Sequence, residues 1–151
     1  MIKCLLINSI EDEYVPEITY FDRWANAIKN KNKNKNESEV TIKIITPDEM
    51  RGYNKLYKNQ DKVSDTLAFP AENFIIENKV ILGDIAMCAS KINSDSELYN
   101  KKKIERWAHL TIHSLLHIYG YDHKCVTSRN KMENIEIDIL KGFNIFDPYE
   151  I

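Results

Sequence analysis

This 151-residue chain contains only four histidines, and all of them fall between His109 and His123. Three of them, His113, His117 and His123 in the run HSLLHIYGYDH, have a spacing that can gather one metal ion from local sequence. On an α-helix, residues four apart sit about 40° apart around the axis and about 6 Å along it, so His113 and His117 project side by side. Gly120 follows Ile118 and Tyr119, where a left-handed cap is expected to stop the helix. It would turn Tyr121, Asp122 and His123 back toward the imidazole pair. Three neutral imidazoles suit a borderline ion such as Zn²⁺, and three protein ligands leave a fourth tetrahedral position for water or substrate. The expectation is a catalytic site with one Zn²⁺ per chain.

What the segment lacks narrows the chemistry. A zinc peptidase of the HExxH type carries its general base as a Glu directly after the first His, and that position here is Ser114. Peptide hydrolysis by that route is disfavoured. Phosphodiester hydrolysis, with a metal-activated nucleophile and a cation on the phosphate, needs no such base. Cys125, two residues after His123, would close the site as a fourth ligand, and it is expected to be a bystander.

The segment resembles the His-x3-His-x5-His signature, commonly HGxLHLxGYDH, of the YbeY family of bacterial metalloendoribonucleases. The likeness extends to Trp107-Ala108-His109-Leu110, to Gly83-Asp84-Ile85 before the site helix, and to Ser64-Asp65-Thr66-Leu67-Ala68-Phe69-Pro70, which is similar to the family's TDVLSFP segment. It implies a small α/β fold with a mixed sheet and a zinc held by His113, His117 and His123. It also implies a single-strand-specific, zinc-dependent endoribonuclease that matures the 3′ end of 16S rRNA and serves ribosome quality control. Its partners would be single-stranded or ribosomal RNA and the ribosomal subunit, with neither DNA nor membrane. An alternative is a ribosome-assembly factor with a structural metal and weak or no nuclease activity; a third, a hydrolase of small molecules or peptides, is disfavoured by Ser114.

Two positions depart from the family pattern. Ser114 stands where the motif usually has Gly, a change compatible with a helix. The family's YRGKD segment falls on Tyr57-Lys58-Asn59-Gln60-Asp61, so its functional arginine is matched by Lys58. Lysine keeps the positive charge but loses the bidentate fork that grips a phosphate. Lys58 is therefore the expected catalytic residue, keeping in kind the role of the family's arginine.

Composition agrees with one enzyme domain spanning residues 1–151, with 43% hydrophobic residues for a core. Lys and Arg number 21 against 23 Asp and Glu, a net charge of −2, so nucleic-acid binding must come from a local basic patch. Lys55, Lys58 and Lys62 form one candidate. Lys101, Lys102 and Lys103 read as a solvated face paired with Glu97 and Glu105. Three cysteines without CxxC spacing point to a reducing compartment, and the short apolar start and lack of an 18-residue apolar run predict a cytoplasmic protein.

The elements that must position the site alternate along the chain, predicting an α/β (α+β) domain with the site at the end of a long helix, and the resemblance implies that its sheet is small and mixed, packed by helices. Strands are expected at residues 2–8, 40–45, 65–68 and 80–87, with Phe69 and Pro70 in a loop. A helix at 18–28 presents Phe21, Trp24, Ala25 and Ile28, and the run KNKNKNKN at 29–36 reads as a frayed end and loop. Thr46 and Pro47 start a helix whose apolar side is Tyr53, Leu56 and Tyr57. Ser94-x-x-Glu97 reads as a capping box opening one continuous site helix through Leu98, Ile104, Ala108, Ile112, Leu115 and Tyr119, with His109 as a structural histidine. A last helix at 128–141, with Met132, Ile135 and Ile139 inward and Gly142 as its stop, supports the His123 turn.

Overall fold

Alternation along Ser38–Ile45 (β2) buries Val40, Ile42 and Ile44 on one side and leaves Lys43 exposed on the other, so this strand has one core face and one open face. The computed structural model describes residues 1–32 and 37–150. Ile2–Ile7 (β1) runs parallel to β2, Lys79–Cys88 (β4) is parallel to β2 on its other side, and Thr66–Ile76 (β3) pairs antiparallel with β4. The four-stranded order is β1-β2-β4-β3, a mixed sheet as expected. The helices are Ile18–Asn32 (α1), Pro47–Tyr53 (α2), Ala89–Leu98 (α3), Lys103–Ile118 (α4) and Val126–Lys141 (α5). Residues 33–36 of the asparagine–lysine run lie outside the described residues.

The main core lies on one face of the sheet, where Phe21, Trp24 and Ile28 of α1 and Trp107, Ile112 and Leu115 of α4 meet Ile42 and Ile85. Burying large side chains of this kind contributes about 1.5–3 kcal/mol each before entropy is counted. Two polar side chains inside this core bond each other and the backbone: Trp107 Nε1 donates to Asn93 Oδ1 at 2.8 Å, and Asn93 Nδ2 donates to the Tyr14 carbonyl at 2.9 Å. The edge strand β1 is also covered, since its Ile2 and Cys4 amides donate to Asn26 and Asp22 of α1. On the opposite face α2 covers only part of the sheet, with Met50 packed in a second cluster of Ile45, Leu67, Ala86 and Cys88. Thr46 caps α2 as expected, its Oγ1 accepting from the Glu49 amide at 3.2 Å with Pro47 following.

Several expectations are corrected. The site helix is two helices, because Asn100 adopts a left-handed φ of 54° and closes α3 with bonds from its amide to Glu97 O and from Lys101 N to Ser96 O. Ser94 lies inside α3 and bonds back to Lys91 O, so it caps nothing. Residues 69 and 70 belong to β3, where Pro70 is tolerated because β3 is an edge strand. Leu56 and Tyr57 are 72% and 58% exposed, because the chain widens into a π-helical turn at Asn54–Lys58 in which buried Asn54 takes the inward slot, donating to Met50 O, Lys62 O and Ser64 Oγ. Helix α5, by contrast, ends at Lys141 with Gly142 at its cap as expected; Gly142 is right-handed (φ −63°) and the left-handed residue beyond it is Asn144 (φ 62°).

β3 and β4 are joined by a two-residue turn at Glu77 and Asn78, both with positive φ, and are held in register by Gly83 opposite Pro70. Gly83 has φ 143°, and a Cβ there would lie 2.2 Å from the Phe69 carbonyl oxygen. Gly83→Ala should therefore cost on the order of 2–4 kcal/mol in urea denaturation, since backbone rather than a flexible side chain must move. Wild-type stability in that variant would contradict the Pro70–Gly83 register.

Candidate metal centre

The end of α4 builds the site. Gly120 has φ 100°; its amide bonds to His117 O and the Tyr121 amide to Leu116 O, the paired closure of a left-handed helix cap. The expected turn at Gly120 is thus present, and it does more than redirect the chain. It brings the Tyr121 carbonyl within 3.1 Å of His117 Nδ1. A carbonyl only accepts, so Nδ1 carries the proton and His117 Nε2 presents a lone pair.

His113 is fixed from the other side. Glu136, on α5, has no solvent exposure, and its Oε1 lies 2.6 Å from His113 Nδ1 while its Oε2 lies 3.0 Å from His109 Nε2. Tyr149 OH donates to the same Oε2. Burial alone would push this carboxyl up, but the hydrogen bonds from His109 and His113, the charge on His113 and the Tyr149 bond outweigh it and hold the pKa at about 2. Glu136 is therefore ionised and accepts only, which places the His113 proton on Nδ1 and leaves Nε2 bare.

The two bare nitrogens, His113 Nε2 and His117 Nε2, face each other at 3.0 Å. Lone pairs at that distance repel unless a proton or a cation lies between them. Protonation is disfavoured: burial, then the charges of His113 and His123, lower the His117 pKa to about 4. The His123 ring stacks at 17° to that of His113, 5.6 Å away, and is 4.8 Å from that of His117. The ligand atoms of His113, His117 and His123 all lie within 4.8 Å of one another. Two imidazoles whose Nδ1 atoms are held by hydrogen bonds and whose Nε2 atoms converge, with a third ring beside them, fit a divalent first-row cation. A second, overlapping group of His109, His113 and Glu136 is sealed inside, with His109 8% and Glu136 0% exposed, so it supports the first group from behind.

The three histidines open on a cleft of about 730 Å³ between α4 and β3. Lys58 lines it, as do Arg106 and Lys124. Its two carboxylates are engaged, Asp65 by Arg106 at 2.9 Å and by the Thr66 amide, and Asp122 by the Lys124 amide at 3.1 Å. With a divalent ion added, the cleft presents positive charge, which suits an anionic substrate. Of the other basic candidates, Arg51 and Lys55 pair with Asp61, and Lys103 pairs with Glu97. Cys125 is not part of the histidine group, and its Sγ lies 3.2 Å from Ser128 Oγ at the start of α5. Among the described residues no helix is long and apolar enough to cross a membrane.

Sequence reasoning misses Glu136, Tyr149 and Arg106. A signal exists for the first, since Met132, Glu136 and Ile139 share one buried helical face and a lone carboxylate among apolar residues calls for a partner. Tyr149 carries no such pattern. Because Glu136 fixes the His113 tautomer, Glu136→Gln should weaken divalent-metal binding by about 10- to 100-fold, measured by competition with a chelating dye on protein whose fold is checked by circular dichroism. Unchanged affinity would show that the carboxylate does not orient His113.

Comparison with known proteins places this geometry in a family. The family model described as Endoribonuclease YbeY matches residues 8–144. The chain is 40% identical over 140 residues to the endoribonuclease YbeY of Buchnera aphidicola subsp. Cinara cedri, covering 90% of this chain and 86% of the relative. It is 37% identical over 110 residues to that of Colwellia psychrerythraea, covering 73% and 71%. The solution structure of TM1509 from Thermotoga maritima matches over the whole of both chains with a TM-score of 0.57 at 18% identity, which bears on the fold alone. With a histidine cluster built by the signature segment and a family match spanning nearly all of its length, the chain belongs to the YbeY family.

Proposed function

We propose that residues 1–151 form a zinc-dependent endoribonuclease that cleaves single-stranded RNA, with one Zn²⁺ held by His113, His117 and His123. The observation that carries this reading is the pair of bare Nε2 atoms 3.0 Å apart at the floor of a cation-lined cleft. Family membership supports RNA as the substrate, since the relatives are named endoribonucleases. In the same reading the protein acts in the cytoplasm on the 3′ end of 16S rRNA and in ribosome quality control, with the ribosomal subunit as partner.

When bound, zinc supplies Lewis-acid activation of water. The chain's own groups do the rest. Glu136 and the Tyr121 carbonyl hold the Nδ1 protons of His113 and His117, keeping both rings turned toward the ion. The Lys58 ammonium offers its charge to the phosphate oxygens as negative charge builds on them, and Lys124 and Arg106 add to the attraction of the backbone. Exposure of His123 and a histidine group that does not include Cys125 favour an open, catalytic site over the closed, structural site that the assembly-factor reading requires.

Four variants test the assignment. Purified wild type should carry about one zinc per chain and lose cleavage of single-stranded RNA to a chelator, and His117→Ala should lose the zinc. Cys125→Ser should leave zinc content and cleavage close to wild type. Lys58→Ala should slow cleavage on the order of a hundredfold with zinc retained, and Lys58→Arg should keep or raise activity by restoring a bidentate grip. Full-rate cleavage by Lys58→Ala would remove it from the site; no cleavage by wild type or Lys58→Arg would favour the assembly factor.

A further inference from the structure

A second groove, of about 410 Å³, lies on the opposite face of β3 from the histidine cleft. Three rings form one wall: Tyr57 and Phe69 have centroids 5.2 Å apart, and Tyr53 lies 6.2 Å from each. Lys43 sits above Tyr53, its Nζ 6.0 Å from the ring centroid and 3.3 Å from the hydroxyl. Asp84 and Thr41 line the groove beside them.

The linings of the groove and the cleft adjoin at two places in the chain. Tyr57 lines the groove and its neighbour Lys58 lines the cleft; Phe69 lines the groove while Ala68 and Pro70 line the cleft. Adjacent strand residues point to opposite faces, so a strand of nucleic acid crossing the β3 edge meets both surfaces. Of the three rings Tyr57 is 58% exposed and Tyr53 and Phe69 are half-buried, seated on the Met50 cluster; an exposed ring backed by others and beside a cation is the kind of platform on which unpaired bases stack without regard to sequence. Asp84 repels a phosphate but accepts hydrogen bonds from an exocyclic amine, so the base and not the backbone is the part that fits.

We propose that Tyr53, Tyr57, Phe69 and Lys43 form a stacking subsite for one unpaired nucleobase flanking the scissile phosphate, with Asp84 favouring a base that bears an exocyclic amine over uracil. This rests on the reading of the cleft as an RNA site. It gives single-strand selectivity a physical source, because a base held in a duplex cannot enter a ring-lined groove.

The test uses zinc-loaded protein and single-stranded oligoribonucleotides from about 4 to about 16 nucleotides, with 2-aminopurine placed at successive positions. On mixing with wild type, one position should lose fluorescence before turnover, the signature of stacking. Tyr57→Ala should abolish that quenching and raise KM for the longer substrates on the order of tenfold, whereas Tyr57→Phe should retain both. Leu56→Ala, on the same turn but outside the groove, is the control and should match wild type. If wild type cleaves but Tyr57→Ala keeps its quenching and KM, the groove serves another occupant and the subsite is wrong. If wild type neither binds nor cleaves any oligonucleotide, the RNA reading of the cleft fails and takes the subsite with it.

Discussion

The site depends on one buried carboxylate. Glu136 has no exposure to solvent and gathers His109 and His113 from α4 and Tyr149 from beyond α5, so a single charge ties together three separate parts of the chain. Its ionisation is tolerated only because every partner donates to it; stripped of one, a buried charge of this kind costs about 3–5 kcal/mol. The same bonds push the Tyr149 hydroxyl, already raised by burial, well above its usual range, so it stays a donor across ordinary pH. The orientation of His113 is thus a property of tertiary packing between α4 and α5, and His109, which reads in the sequence as a structural histidine, is committed to the same carboxylate.

Much of this is legible in the amino-acid sequence. The spacing of His113, His117 and His123, the turn at Gly120 and the Thr46 cap come from local rules of periodicity and capping, the mixed sheet from the family resemblance, and each is present in the fold. The misreadings have separate physical causes. Asn100 takes a left-handed conformation that ends α3 where no glycine marks the stop, so a pattern keyed to glycine runs α3 and α4 together. Pro70 reads as loop because proline lacks an amide, yet at a sheet edge that amide is dispensable. Leu56 and Tyr57 read as a buried stripe because a π-helical turn has a wider period than that of an α-helix.

Contacts between distant segments are not legible at all. The pairing of Arg106 with Asp65 across 41 residues, and of Tyr149 with Glu136 and His109, depends on where α4, β3 and the C-terminal segment come to rest. Lys58 can be placed only by resemblance, since one lysine among many has no distinguishing pattern; the fold sets it on the rim of the histidine cleft through the left-handed Asn59 that ends its turn.

The cap at Gly120 joins two things usually kept separate. The Tyr121 carbonyl that fixes the His117 tautomer is reached only while the last turn of α4 is closed, so fraying of that turn and loss of a correctly presented ligand are one event. An ion that binds the closed form therefore draws the helix end toward order by mass action, and the helix end in turn sets part of the ion's apparent affinity. An ion held at His117 would therefore be tied to the order of this helix terminus, and its release would require loosening of the last turn of α4 without disturbing the core beneath it.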